Sequence, residues 1–120
     1  MFWSCSATRL PANPHNRALL VTDLHERIVG VSSAWVAMCG YKPEEVLGKS
    51  PQLLQGPLTD GAAARAFAYD LKSGREPTRV SLVNYKKNKE TFTNTLSGWS
   101  HGDLLIAETI GQEHHQAAEA

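Results

Sequence analysis

TRVSLVNYKKNKETFTNTL, residues 78–96, reads as two runs of β-formers joined by a polar turn over Lys86 to Lys89. Strand side chains alternate faces with period two, so Val80, Leu82 and Asn84 share a face of the first run, as Phe92, Asn94 and Leu96 do in the second. Two primary amides, Asn84 and Asn94, therefore stand among apolar neighbours. An unpartnered buried amide costs about 1–3 kcal/mol, so their partners must be each other, trapped water or a polar heterocycle. For both to face one way, the hairpin loop must be odd in length, for instance Asn88-Lys89-Glu90. A two-residue loop would pair Asn84 with Thr93 and turn Asn94 away.

Working outward, a third strand is expected at Leu104 to Ile110 after the His101-Gly102-Asp103 turn, and the second at Thr91 to Leu96. Toward the N-terminus, Ala18 to Thr22 and Ile28 to Val31 read as strands. Helices lie between. Ser32 or Ser33 caps a short one through Met38 that Gly40 ends, and Pro43-Glu44-Glu45 starts another that Gly48 stops. Ser50 caps a single turn beginning at Pro51. The longest helix runs from a Thr59 cap to Lys72, with Ala63, Phe67 and Leu71 at i, i+4, i+8. Two strands, a block of helices and three strands specify an α+β class, an antiparallel five-stranded sheet with helices on one face. A pocket between the two layers follows.

The chain has 120 residues, one domain's worth, and its 12 basic and 12 acidic residues cancel. No bulk field draws it to nucleic acid or anionic membrane. Cys5 and Cys39 lack a CxxC spacing, so a reduced, cytoplasmic protein is expected, with no disulfide framework or zinc site. The opening Met1-Phe2-Trp3-Ser4-Cys5 has neither the basic start nor the apolar run of a signal peptide or membrane span. Residues 1–16 read as an N-terminal flank, 17–112 as the domain, and 113–120 as a polar tail, mobile or starting an exit helix. His114 and His115 are adjacent in that tail and do not converge as ligands. Cys39 reads as a buried small hydrophobe and Trp35 as helix-to-sheet packing, while Phe2 and Trp3 are suited to cover a sheet face or meet a partner. No nucleophile elbow, P-loop, paired carboxylates or HxxxH is present, so catalysis is not expected.

The order of elements, with Val21-Thr22-Asp23, the run from Gly40 to Gly48, Leu54-Gln55-Gly56-Pro57, Asn84-Tyr85 and Phe92-Thr93-Asn94, resembles a PAS domain over roughly residues 18–112. More narrowly it resembles the light-oxygen-voltage (LOV) subfamily. That resemblance implies a sensory domain binding flavin (FMN), with Gln55, Asn84 and Asn94 against the ring. A further glutamine is implied near Gln112, although counting from Gly102-Asp103 lands on Gly111 and a one-residue slip is needed. Members that form a light-driven adduct carry Gly-x-Asn-Cys-Arg-Phe-Leu-Gln-Gly, whereas this chain has Gly48-Lys49-Ser50-Pro51-Gln52-Leu53-Leu54-Gln55-Gly56. Proline offers no thiol, so cysteinyl adduct formation at Pro51 is excluded, and Cys39 belongs to an earlier helix. Of the two phosphate-binding arginines the resemblance implies, one position is Gln52 and the other aligns with Ala68. Arg65 lies three residues earlier on the same helical face, from where it reaches an anion.

Two function classes stay open. One is a sensor in which altered hydrogen bonding at Gln55, Asn84 and Asn94 reaches the flanks, since a rotated amide exchanges donor for acceptor. The other is a cofactor-free interaction module, similar to the PAS caps of potassium channels. Both imply an effector domain or partner protein, or a homodimer through the sheet or flanks, because so small a domain passes its signal to something else.

Overall fold

The computed structural model describes residues 16–75 and 78–115; Phe2, Trp3, Cys5 and the end of the tail lie outside that range. Five strands, β1 (Ala18–Thr22), β2 (Ile28–Val31), β3 (Thr78–Tyr85), β4 (Thr91–His101) and β5 (Leu104–His114), form one sheet in the order β2-β1-β5-β4-β3. Every pairing is antiparallel. Three helices, α1 (Ser33–Cys39), α2 (Pro43–Val46) and α3 (Gly61–Lys72), and a 3-10 turn at Pro51–Leu54 occupy the β2–β3 crossover. The fold is the expected one.

Local chemistry sets the boundaries. Ser32 caps α1, its hydroxyl accepting from Trp35 N, and Gly40 ends the helix in the left-handed region at φ 85°. α3 is capped by Asp60, one residue later than expected, because Asp60 Oδ1 accepts from Ala63 N while the Thr59 hydroxyl is already committed. That hydroxyl donates to Val83 O at 2.5 Å and accepts from Gly56 N. A capping-competent side chain has instead fastened the loop to β3.

Strands β4 and β5 are longer than the sequence reading allowed. Gly98 is in mid-strand because α3 lies on it: a Cβ there would come within 2.6 Å of Leu71 Cδ2 and 2.7 Å of Phe67 Cζ. β5 continues through Glu113 and His114, which pair with Thr93 and Phe92, so these residues are strand rather than mobile tail or exit helix. His114 stacks on Phe92, and both nitrogens of His115 approach threonine hydroxyls, Thr91 at 2.8 Å and Thr93 at 3.0 Å.

Two apolar clusters flank the space between the layers. One joins α1, α2 and the 3-10 turn to β1, β2 and Phe92; the other sets Phe67 and Leu71 of α3 on Leu105, Val80, Leu96 and Ala107. Cys39, fully buried in the first, has its thiol pushed up to about 11 by desolvation, so it stays protonated at neutral pH. A third cluster, Val21 and Ile106 with Leu19, Val29, Trp99 and Leu104, lies on the opposite face of the sheet.

Candidate functional site

The hairpin loop spans Lys86 to Glu90, odd as required, with Asn84 opposite Phe92 and Asn94 opposite Leu82. The amides are diagonal neighbours on one face, 4% and 2% exposed. They form a directed chain. Asn84 Nδ2 donates to Leu54 O and Val83 O, both at 3.3 Å, which leaves Asn84 Oδ1 to accept from Asn94 Nδ2 at 2.9 Å. Asn94 Oδ1 then has no partner and is fully buried. Two carbonyls fix the polarity of this relay, because reversing either amide would set oxygen against oxygen. A relay so held cannot flip one amide at a time.

Asn84 and Asn94 line a cavity of about 380 Å³ between sheet and helices. It is lined by apolar residues from β1, α1, α3 and the sheet, including Leu20, Trp35, Leu54, Phe67 and Leu105, together with polar side chains such as Gln55, Asn84, Asn94 and Thr109. A binding site built on this scale is typically ~300–1,000 Å³ and organised the same way. A flavin ring edge carries an N–H between two carbonyls, and such an N–H fits the one unmet acceptor held by Asn94, a residue that lines the chamber.

Gln55 and Arg65 also line the cavity, Gln55 half-buried and Arg65 exposed. Neither side chain has a hydrogen-bond partner among the described residues, so both are available. Gln55 ends the 3-10 turn, its backbone N–H donating to Gln52 O. Pro51, Gln52 and Ala68 complete that wall. Gly56 is required beside it: a Cβ would lie 2.5 Å from Tyr85 Cε1, and the Tyr85 hydroxyl accepts from Leu58 N.

Gln112 is placed by a bulge. Thr95 pairs with Gly111 but Leu96 with Thr109, so Ile110 has no opposite residue and the register slips by one. That slip sets Gln112 directly across from Asn94, on the asparagine face. Its side chain is exposed and takes His114 Nε2 at 3.2 Å rather than lining the cavity. Thr109, one bulge earlier, lines it instead.

Trp35, Thr109, Glu26 and Lys72 are among the lining residues that sequence reading did not single out as site residues. Glu26 lies in the β1–β2 turn at φ 63°, a left-handed position rare for glutamate, and its carboxylate meets Lys72 of α3 at 2.5 Å across the cavity rim. No group of three or more His, Cys, Asp or Glu positioned for a metal occurs among the described residues, and no described helix is long and apolar enough to cross a membrane.

A five-stranded antiparallel sheet with helices across one face and a chamber between them is the architecture of a small sensory domain, and the model of the PAS domain family matches residues 16–99. The chain belongs to the PAS domain family, on its LOV-like side. It is 38% identical over 100 residues to a blue-light-activated histidine kinase of Rhizobium johnstonii, covering 80% of this chain and 27% of the relative. A blue-light-activated histidine kinase of Brucella abortus is 35% identical over 81 residues, 65% of this chain and 16% of the relative. The crystal structure of the Rhodobacter sphaeroides LOV protein superposes with a TM-score of 0.73 at 26% identity, covering 87% of this chain and 63% of that one. The chain thus spans a small part of the kinases it matches. It is a PAS/LOV sensory signalling domain with no catalytic domain among the described residues.

Proposed function

We propose that this domain holds a flavin non-covalently between sheet and helices, as a sensor that cannot form a cysteinyl adduct. The buried, unpartnered Asn94 Oδ1 carries the reading: a residue lining the chamber holds an acceptor that asks for an N–H. A bound flavin supplies a blue-absorbing, redox-active ring. Asn94 accepts from its edge, Asn84 transmits the polarity of Leu54 O and Val83 O, and Gln55 is the lining amide free to reorient. Pro51 lines the chamber where adduct-forming relatives carry cysteine, so any light response ends without a carbon–sulfur bond. The signal leaves through β5, which neighbours the ring-facing strand β4 and carries Ile106 and Leu104 on the opposite face. That apolar face supports an effector domain or a second copy as the recipient, in a cytoplasmic setting.

A cofactor-free docking module is the second reading, favoured by the asparagines satisfying much of each other's demand. Colour separates the two. Protein purified from cells should be yellow or take up added flavin, releasing it intact on denaturation. After illumination its flavin band should show no thiol-adduct form. Colourless protein that refuses added flavin would establish the docking module.

A further inference from the structure

Resting on the flavin reading, we infer that the cavity mouth selects an unphosphorylated flavin, with a neutral polyol tail, over the phosphate monoester. The charged side chains lining the cavity are Glu26, Arg65 and Lys72. Lys72 Nζ is paired with Glu26 Oε2 at 2.5 Å, so this cation already has a counter-charge before any ligand arrives. The Glu26 carboxylate that holds it also repels a phosphate, which carries close to two negative charges at neutral pH. The amino end of α3, whose Gly61 lines the cavity, already carries the Asp60 carboxylate, which accepts from Ala63 N and opposes a second anion there. Arg65 remains, exposed to solvent, where a single ion pair is screened and weak.

The uncharged part of the rim is well supplied. Ser50 and Gln52 line it with a hydroxyl and an amide, groups that both give and take hydrogen bonds as a chain of hydroxyls does. The Glu26–Lys72 pair therefore acts as a specificity element that removes the second cation a phosphate would need.

The test is a pair of titrations of the full chain with riboflavin and with FMN at about 0.15 M salt, read by fluorescence. Riboflavin is expected to bind as tightly as FMN or tighter. Glu26→Gln, close in shape, frees Lys72 and should shift the ratio of affinities toward FMN by about threefold or more, with a native far-UV circular dichroism spectrum as the control for folding. Lys72→Gln, which leaves the Glu26 carboxylate without its counter-charge, should move the ratio further toward riboflavin, and a shift toward FMN would count against the inference. An FMN preference of about tenfold or more in the wild type, or a ratio that Glu26→Gln does not move, overturns the inference alone. Failure of the wild type to bind either compound overturns the flavin reading beneath it.

Discussion

At the residue scale the decisive atom is Asn94 Oδ1, and its isolation has an energetic signature. Without ligand, Asn84→Leu strands the Asn94 amide entirely and should destabilise the domain by about 1–3 kcal/mol in urea unfolding. Asn94→Leu strands only Asn84 Oδ1 while removing an orphan, so its cost should be smaller. The double variant should cost less than the sum of the two, because an apolar pair leaves no partner unmet. Additive costs would show that the two amides do not act as one relay. The pair was legible in sequence because alternation and an odd loop sufficed to place it. The direction of its hydrogen bonds was not, since that depends on Leu54 O, thirty residues away in the chain.

Ionisable residues add a pH dependence whose sign is fixed. The hydrogen bonds from Arg17 hold the Glu108 carboxyl below the usual carboxylate range, and Lys87 does the same for Glu45. A carboxyl depressed in the folded state stabilises above its unfolded value of ~4.3, and that contribution is lost as pH falls through the lower folded value. Stability should decline below about pH 4.5, and Glu108→Gln should flatten the decline. An unaltered acid limb in thermal unfolding would remove Arg17–Glu108 from the account.

Among the elements, the contact between α3 and the sheet shapes the cavity wall. Gly98→Ala drives a methyl into Phe67, Leu71 and the Ile106 carbonyl, and should cost about 1–3 kcal/mol while loosening ligand binding. Lys89, at φ 78° in the hairpin loop, is the opposite case: Lys89→Gly should stabilise by about 1 kcal/mol by relieving a left-handed lysine. A destabilised Lys89→Gly in chemical unfolding would show that the loop conformation is not strained. These positions also explain where sequence reading fell short. Glycine in mid-strand, as at Gly98 and Gly111, imitates turn chemistry, and only the facing helix or bulge distinguishes the cases. Glu113 and His114 read as tail because they are polar, yet an edge-to-edge pairing with β4 needs no apolar side chain.

The molecule as a whole pairs a chamber on one face of its sheet with an apolar patch on the other, and β5 contributes to both. The chamber was implied by the order of elements, whereas the rim ion pair between Glu26 and Lys72 was not, because it joins a turn and a helix end through no sequence pattern. The central claim is that the chamber is a ring site organised by Asn94. A crystal structure of the full chain grown with riboflavin tests it most directly. The ring should lie between β4 and α3, with Asn94 Oδ1 about 2.9 Å from a ring N–H and Asn84 still bonded to Leu54 O. A chamber filled only by its own side chains, or a ring bound with Asn94 Oδ1 unmet, would contradict it.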